Sequence, residues 1–431
     1  MVSAPKAGET SPQWSSRFAF LMASIGSAVG LGNLWRFPFQ TGQNGGSAFV
    51  FVYILCVIFV AYPVLVSELA IGRHKGFSAV GSTRQLAKDI GRSANWGLVG
   101  WVGVTAGFLI VSTYSVIAGQ VAAYSVMAFM GEFAGRDPLT AASATSLYDG
   151  PWMALGWHAM FMALTIFIVA QNIQSGIERV CAFLMPAFFV MLAILCVYAL
   201  ATGAAAETID YLFSPRFSEL NAGVVLAALG QAFFSIGVGA SILMTYGSFL
   251  PKDVNIGTNA GVIAGADTMV AVVAGLMIFP IVFANGLDPA AGAGLIFGAL
   301  PAVFSGMPGG SFIGGAFFLL AFVAAITSSI SLLLGITVVG VEQLKLPRAV
   351  SAIIFGGAAF AISAVSIFAP ISAPWIDFLS GNVMLPLGGL GVAIFAGWVA
   401  PRATMRDELR NTSDGLFRFW RFFTRYAARS Q

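Results

Sequence analysis

The feature that most constrains this chain is an apolar run over residues 18–39 that is interrupted near its middle. The run is long enough to cross a bilayer as a helix, since about 20 apolar residues suffice. It nevertheless contains Gly26, Gly30, Gly32 and the side-chain amide of Asn33. Irregular backbone at membrane depth is tolerated only where protein buries it or where it lines a watery cavity. The pattern favours a helix broken at mid-span that exposes backbone groups to a polar ligand; a continuous helix whose glycines serve close packing is the alternative.

The composition excludes a soluble globular protein. Of the 431 residues, 58% are hydrophobic and 9% are charged, and the mean hydropathy is +0.88. These values indicate a polytopic helical membrane protein. The three cysteines lie in apolar runs without zinc or redox spacing, which favours ordinary core packing. The chain is polar through Arg17 and its first apolar run is full length, so we expect no cleavable signal peptide.

Length and hydropathy predict ten spans, which we number span 1 to span 10. Their approximate ranges are 17–40, 47–72, 96–130, 153–171, 179–202, 221–250, 256–284, 310–340, 348–369 and 376–400. Placing the N-terminus in the cytoplasm puts most basic residues inside, as the positive-inside rule requires. We therefore expect a multi-pass protein of the plasma (inner) membrane with both termini cytoplasmic. This topology explains the net charge of +3 without a nucleic-acid partner.

Polar residues recur at the middle of several spans. Tyr114 lies in span 3, the Gly-rich stretch Gln231–Ser241 in span 6, Asp267 in span 7, and Thr327 with Ser328 in span 8. An intramembrane carboxylate is a functional candidate by default. A core tyrosine, and hydroxyls bonded to a carbonyl one turn earlier, remain the structural alternatives.

Three further segments have distinctive patterns. Span 5 opens with Gly176 and carries Pro186, which lacks a backbone donor, so its first half should open readily. The apolar stretch Leu295–Phe304 is too short to span and is expected to form a re-entrant lid. After Pro401, arginines recur at three- and four-residue spacing among aromatic residues, which is typical of an amphipathic helix lying on anionic lipid.

The two Gly-rich, interrupted spans are the first and the sixth, so five spans follow each start. Because five is odd, the second half must be inverted relative to the first, an arrangement that points to a transporter's midplane site. The predicted fold is an all-α integral membrane protein, a 5+5 inverted-repeat bundle with a C-terminal amphipathic segment. Its predicted segments are 1–16 (cytoplasmic N-terminal segment), 17–202 (first repeat), 203–220 (outer loop), 221–400 (second repeat) and 401–431 (cytoplasmic basic tail).

Several motifs resemble the neurotransmitter:sodium symporter family. The stretch Trp14–Pro38 is similar to the opening signature of that family, and N-G-G follows at Asn44–Gly46. E-L-A-I-G-R at Glu68–Arg73 and T-Y-G-S at Thr245–Ser248 also match. The resemblance covers residues 14–400 and is to bacterial sodium-dependent amino acid transporters of the leucine-transporter fold.

The resemblance implies sodium-coupled import of a small amino acid by alternating access, with two sodium sites. Carried over residue by residue, it implies a first sodium site at Ala28, Asn33, Ser235 and Asp267, and a second at Gly26, Val29, Ala324, Thr327 and Ser328. Oxygen ligands of this kind suit a hard cation. The implied substrate site comprises Ser27, Ala28, Gly30, Leu31, Gly32, Ile110, Tyr114, Phe234, Ser235, Gly237, Ala240, Ser328 and Leu332.

The same resemblance narrows the substrate. Relatives that carry monoamines have an aspartate where this chain has Gly30, so the substrate should bring its own carboxylate. Gly237 and Ala240 are small where leucine-preferring relatives have bulkier residues, which favours a bulky hydrophobic or aromatic neutral L-amino acid. Asp267 aligns with an asparagine of chloride-dependent relatives. A fixed carboxylate can replace the electrostatic role of chloride, so we expect chloride-independent transport.

The resemblance also implies two gates, with Arg36 and Asp377 at one end and Trp14 and Glu342 at the other. The acid that normally faces Arg36 is absent, and Asp377, one turn earlier, would substitute or bridge through water. The basic residue usually found three positions before Trp14 is Ser11 here, which puts the pairing with Glu342 in doubt.

Span 5 also matches a family pattern. The spacing of Gly176 and Pro186 is associated in the family with unwinding of this helix, which would give the second sodium ion a water path to the cytoplasm.

Other readings remain open at this stage. A non-transporting amino-acid sensor of the same fold, or a symporter for a small amino-acid derivative, would have a similar site. No nucleophile–base pair or metal cluster suggests an enzyme. The expected partners are the substrate and the lipid bilayer, and a homodimer is left open.

Overall fold

The computed structural model describes residues 13–133, 150–290, 295–369 and 372–427, and every regular element within these ranges is a helix. Each predicted span corresponds to helical structure. The bounds of spans 1 to 5 are Arg17–Ala28 with Gly32–Gln43, Ser47–Lys75, Ala94–Phe129, Pro151–Ala170 and Gln174–Thr202. Those of spans 6 to 10 are Ala222–Ile236 with Ile242–Gly247, Ile256–Ala284, Gly310–Gln343, Arg348–Phe368 and Ser372–Val399.

The predicted break in span 1 is confirmed. The first half ends at Ala28, the second begins at Gly32, and the two are bent by 46°. The hydroxyl oxygen of Ser16 caps the start of the first half by accepting a hydrogen bond from the Ala19 N–H at 3.1 Å. The continuous helix that the glycines also allowed is therefore excluded.

Span 6 is interrupted between Ile236 and Ile242. Gly237 and Gly239 have φ angles of 75° and 88°, and Ser241 has one of 57°. These left-handed conformations cost little for glycine and more for residues with a β-carbon. The Gly-rich sequence is thus what permits the helix to open at this depth.

Span 8 lies at the centre of the bundle, and the most apolar window of this helix is 89% buried. The corresponding windows of spans 4, 5 and 9 are only 33% buried. Phe167, Phe183 and Ile353 are among the large apolar side chains that these outer helices expose. Such apolar surface suits lipid contact, because hydrocarbon is the solvent around a membrane span.

Span 5 begins at Gln174, earlier than the predicted residue 179. Its first five residues, Gln174–Glu178, form a wide turn of the π type that contains Gly176, and Pro186 lies inside the helix that follows. The helix is wound in this structure, so its readiness to open remains a prediction.

The predicted lid consists of two short helical pieces, Leu295–Ala299 and Leu300–Gly306. Phe297 packs against Trp35 of span 1 at 6.1 Å between ring centroids and against Tyr124 of span 3 at 5.6 Å. The segment therefore rests on the end of the bundle that carries the second half of span 1.

The C-terminal residues form a tail turn, Arg402–Glu408, and a tail helix, Asp414–Ala427. The helix is formed as predicted, and its placement on anionic lipid stays a prediction. One of its aromatic residues, however, packs inside the protein. Trp420 is buried and its indole N–H lies 3.1 Å from the Pro63 carbonyl and 3.0 Å from the Ser67 hydroxyl in span 2. An amphipathic pattern does not distinguish a lipid surface from a groove between helices, and here one apolar stripe occupies such a groove.

The tail turn is held by a buried ion-pair cluster around Glu408. The carboxylate of Glu408 lies 3.3 Å from the Arg73 guanidinium, 3.0 Å from His74 Nδ1 and 2.7 Å from Lys252 Nζ. Burial alone would raise the pKa of Glu408, but hydrogen bonds from His74 and Lys252 and the charges of Lys252 and Arg73 lower that pKa to about 2. The cluster joins the tail to the end of span 2 and to the loop after span 6.

Candidate functional site

Side chains from neighbouring spans replace the backbone hydrogen bonds lost where span 1 breaks. The Gly30 N–H donates to Asn33 Oδ1 at 2.9 Å. The Leu31 N–H donates to the Tyr114 hydroxyl at 3.2 Å, and the Gly32 carbonyl accepts from the Gln231 amide at 3.0 Å. Unpaired backbone groups would be costly at this depth. Polar residues at mid-span therefore support the break that the glycines permit.

The break in span 6 is supported by Glu68 of span 2. The Glu68 Oε1 atom accepts a hydrogen bond from the Gly239 N–H at 2.7 Å, and the side chain is fully buried. Glu68 was absent from the predicted site, although a carboxylate ending an apolar run was a usable signal. A substituent on Gly239 would approach the Leu385 carbonyl of span 10 to 2.2 Å, so only glycine fits there.

A carboxylate cluster lies between the second half of span 1 and spans 6 and 7. Asn33 Nδ2 donates to Asp267 Oδ1 at 2.8 Å, and the Ser235 hydroxyl donates to Asp267 Oδ2 at 2.8 Å. The Tyr53 hydroxyl also lies 3.3 Å from Asp267 Oδ2. Three residues predicted for the first sodium site therefore converge, and Ala28 lines the adjoining cavity. Tyr53 is an additional member that sequence reasoning did not select.

A second cluster of oxygens lies between the first half of span 1 and span 8. The Ser328 hydroxyl oxygen is 3.3 Å from the Gly26 carbonyl oxygen, 3.2 Å from that of Val29 and 3.1 Å from that of Ala324. The Thr327 hydroxyl lies 3.0 Å from the same Ala324 carbonyl. All five residues predicted for the second sodium site thus meet at one place.

Ordinary bonding within one helix does not account for this second cluster. A serine in a helix often bonds back to the carbonyl one turn earlier, as Ser328 does with Ala324. The carbonyls of Gly26 and Val29, however, come from a different span. One hydroxyl donates a single hydrogen, so it cannot satisfy three carbonyls at once. The excess of oxygen acceptors over donors matches what a hard cation requires.

A cavity lies between the two clusters. Thirteen residues line it, of which eleven belong to the predicted substrate site: Ser27, Ala28, Gly30, Gly32, Ile110, Tyr114, Phe234, Gly237, Ala240, Ser328 and Leu332. Ile242 and Leu385 also line the cavity and were not predicted. Leu31 contributes its N–H to Tyr114, and Ser235 belongs to the carboxylate cluster.

A second cavity of about 520 Å³, which we call the vestibule, adjoins the first across Gly32, Ile110, Tyr114 and Phe234. Arg36 and Asp377, the predicted gate pair, both line the vestibule. Within the described residues they form no ion pair within 4 Å, and the Arg36 guanidinium instead lies 4.2 Å from the centroid of the Phe234 ring.

On the opposite face, the N-terminal segment packs against the bundle through Trp14. This side chain is buried, its indole N–H donates to the Tyr246 carbonyl at 3.2 Å, and its backbone N–H donates to the Phe249 carbonyl at 3.3 Å. Aromatic edges of Tyr246 and Phe249 also contact the indole. Trp14 thus ties the N-terminal segment to the second half of span 6, and it also lines a cavity of about 820 Å³ on this face.

Among the described residues, the predicted partner Glu342 forms no hydrogen bond or ion pair with the N-terminal segment. Its carboxylate accepts from the Ser78 N–H at 2.5 Å, where it caps the short loop helix Ala79–Asp89. Ser15 instead donates its N–H to Glu178 of span 5 at 3.1 Å, and its hydroxyl also contacts that carboxylate. Ser11 lies outside the described residues. The contact of Glu178 with a neutral serine had no signal in the sequence.

Comparisons with known proteins agree with this architecture. A model of the sodium:neurotransmitter symporter family matches residues 11–140 and 153–380. The uncharacterized sodium-dependent transporter YhdH of Bacillus subtilis (strain 168) is 37% identical over 436 residues, covering 96% of this chain and 94% of that protein. An uncharacterized sodium-dependent transporter of Haemophilus influenzae is 31% identical, covering 94% and 92%. The crystal structure of MhsT in complex with L-phenylalanine matches with a TM-score of 0.89 at 37% identity, covering 97% of each chain.

Proposed function

This chain belongs to the sodium:neurotransmitter symporter family, and on that basis we propose that it imports a bulky neutral L-amino acid together with sodium, independently of chloride. Sodium-coupled symport of an amino acid is the activity that the family and the relatives support. The particular amino acid, the number of sodium ions and the role of chloride are our proposals.

The observation that carries the proposal is the oxygen cluster around Ser328. Its carbonyls come from Gly26 and Val29 of span 1 and from Ala324 of span 8, and its hydroxyls come from span 8. A cation bound there would therefore hold these two spans together. Sodium would be transported with the substrate. While bound, it would favour the relative position of spans 1 and 8 that brings these oxygens together. The carboxylate cluster at Asp267, predicted as the first sodium site, would hold another sodium ion beside the substrate cavity.

The substrate cavity offers groups for both ends of an amino acid. The Tyr114 hydroxyl and the N–H groups at the start of the second half of span 1 would meet the carboxylate, because helix N-termini favour negative charge. Carbonyls near Ser27 and Phe234 would hold the ammonium group. Gly30 places no side chain between the groups for the carboxylate and those for the ammonium. A β-carbon at this position would approach the Ser328 hydroxyl to 2.6 Å.

The remaining wall of the cavity is apolar, which favours a hydrophobic side chain on the substrate. Ile110, Phe234 and Leu332 supply apolar surface, and Gly237 and Ala240 take little space. L-Phenylalanine is the ligand named for the MhsT structure, a relative of 37% identity. These features support an aromatic or bulky aliphatic substrate.

We propose that the N-terminal face is cytoplasmic and that the vestibule opens to the outside. Both termini would then lie in the cytoplasm, as the distribution of basic residues favours. The absence of an ion pair between Arg36 and Asp377 among the described residues supports entry of substrate through the vestibule. Residues 17–202 and 221–400 would act as inverted halves around the two breaks.

Uptake into proteoliposomes tests the proposal. With an inward sodium gradient, we expect accumulation of phenylalanine or another bulky neutral amino acid, and none when potassium replaces sodium. Thr327→Ala with Ser328→Ala should abolish accumulation, while Thr258→Ala, at an N-terminal turn of span 7, is the matched control. Binding of the amino acid without accumulation would instead identify a sensor and refute transport.

A further inference from the structure

The tail turn and the tail helix bring several arginines together beside a cavity of about 340 Å³. Arg402, Arg406 and Arg418 line the cavity with Asp414 and Phe417. Asp414 is already paired with Arg406 at 2.5 Å. The other two arginines of the cavity have no ion-pair partner within 4 Å among the described residues. The cavity therefore has an excess of positive charge.

Arg421 lies one helical turn after Arg418, next to the residues that line this cavity. One of its terminal nitrogens, Nη1, is buried and has no hydrogen-bond partner within the described part of the chain. Burial, and after it the charges of Arg425 and Arg402, lower the pKa of Arg421. A buried donor without an acceptor is costly, and so is the crowding of like charges. Both costs fall when an anion binds between these guanidinium groups.

The tail helix and the residues before it contact the ends of spans 7 and 10. The Gly257 N–H, in the first turn of span 7, donates to the Thr412 hydroxyl at 3.3 Å. At the other end, Arg425 Nε donates to the carbonyl of Gly397, in the last turn of span 10, at 2.9 Å. The tail helix and the residue Thr412 before it thus touch the ends of two spans, while Trp420 packs on span 2. The tail helix does not continue as a further span in the described residues.

The exposed side of the tail helix is apolar next to the arginines. Phe422 and Tyr426 are 53% and 52% exposed. Aromatic side chains at this depth favour the boundary between headgroups and acyl chains. A ligand that combines a phosphate with hydrocarbon would contact both the arginines and these rings, whereas a free anion would contact only the arginines.

We propose that Arg402, Arg418 and Arg421 form a binding site for the phosphate of an anionic phospholipid, whose acyl chains lie against Phe422 and Tyr426. Guanidinium groups bind phosphate through paired hydrogen bonds, which favours arginine over lysine at such a site. The sequence predicted only that the tail meets anionic lipid. The structure places Arg402 and Arg418 at one cavity, with Arg421 one turn further along the tail helix, and it leaves Arg410 outside this cavity.

Native mass spectrometry of the full-length protein, released from vesicles of phosphatidylglycerol and phosphatidylcholine, tests the site. We expect retained phosphatidylglycerol on the wild type and about 30-fold weaker retention by Arg402→Gln/Arg421→Gln, since each basic residue contributes about 1 kcal/mol to binding an anionic surface. Arg410→Gln is the matched control, because it removes a charge from the same tail outside the site. Equal loss in the control, or no loss in the double variant, would overturn the proposal.

Two further arms separate the possible causes of a result. Inorganic phosphate without lipid should give no thermal stabilisation that depends on Arg402 and Arg421; stabilisation equal to that from phosphatidylglycerol would overturn the assignment to lipid. Arg402→Lys/Arg421→Lys keeps the charge and should fold, with retention between those of the wild type and the glutamine variant. Retention equal to wild type would show that net charge alone acts and would overturn the paired geometry.

Discussion

Neutralising Glu408 by Glu408→Gln should release the tail turn from the bundle. The carboxylate is 2% exposed and contacts Arg73, His74 and Lys252, which belong to span 2 and to the loop after span 6. Glutamine has nearly the same shape, so packing is preserved while the charge is lost. Docking of the tail should weaken without a change in the transmembrane bundle.

The size of the effect follows from the pKa of Glu408. That pKa falls from an ordinary value of 4.5 to about 2 when the tail is docked. Each pKa unit corresponds to about 1.36 kcal/mol, so the charged form stabilises docking by roughly 3 kcal/mol. Because the docked pKa is the lower one, this stabilisation is complete above pH 4.5 and is lost progressively as the pH falls towards 2.

Hydrogen–deuterium exchange of the tail measures this free energy. In peptides covering residues 402–417, exchange at pH 7 should be roughly 100-fold faster in Glu408→Gln than in the wild type, the ratio that corresponds to about 3 kcal/mol. The ratio should shrink when both proteins are compared at pH 3.5. Asp414→Asn is the control, because the side chain of Asp414 is 82% exposed and surface pairs contribute less than about 1 kcal/mol.

Two outcomes would refute this reasoning. Equal exchange of the tail in both proteins at pH 7 would mean that the cluster does not hold the tail turn. A ratio that does not change between pH 7 and pH 3.5 would mean that the charge of Glu408 is not the cause.

Four further predictions concern the transport site. Gly30→Asp should lower sodium-dependent uptake about 100-fold, because an uncompensated buried charge costs at least about 3 kcal/mol, and a variant with normal uptake in proteoliposomes would contradict the packing against Ser328. Ala240→Leu should reduce the preference for phenylalanine over alanine about tenfold in competition assays, as added methylenes fill the cavity; unchanged selectivity would place the side chain of the substrate elsewhere. Asp267→Asn should make uptake chloride-dependent, so that uptake by this variant falls when gluconate replaces chloride in the buffer. Equal uptake in both salts would argue against the proposed role of the carboxylate. Pro186→Ala restores a backbone donor in span 5, so the maximal uptake rate should fall while the sodium concentration for half-maximal binding stays constant; an unchanged rate would exclude opening of this helix as a slow step.

Local sequence was sufficient to predict the spans and the break in span 1. Apolar runs of bilayer length define helices with little ambiguity, because lipid leaves the backbone few alternatives. Glycines followed by Asn33 inside such a run signalled the break, since an amide in hydrocarbon needs a partner. That partner is Asp267, and the family resemblance had grouped the two residues before the structure showed their contact.

Contacts between distant segments were harder to predict. Tyr53 and Glu68 can be recognised in the sequence as polar residues of the apolar span 2. The direction of each side chain, however, depends on how the helix is rotated against its neighbours. Glu342 was assigned to a gate, yet its carboxylate caps the loop helix at Ser78. The burial of Trp420 depends on a groove that only the assembled spans create. Each of these outcomes follows from tertiary packing, which periodicity does not encode.

The interruption of span 1 has a consequence for how the substrate specificity of such a protein can change in evolution. A few consecutive peptide units there serve both clusters and the cavity between them: Gly26 and Val29 face Ser328, and Leu31 faces Tyr114. Any substitution that shifts this short backbone would disturb ion recognition and nutrient recognition together. New preferences should therefore arise on the facing wall, at positions such as Ala240, where a side chain can grow without moving shared peptide groups. Homologous proteins can then differ in the substrate that they transport while the coupling ion stays the same.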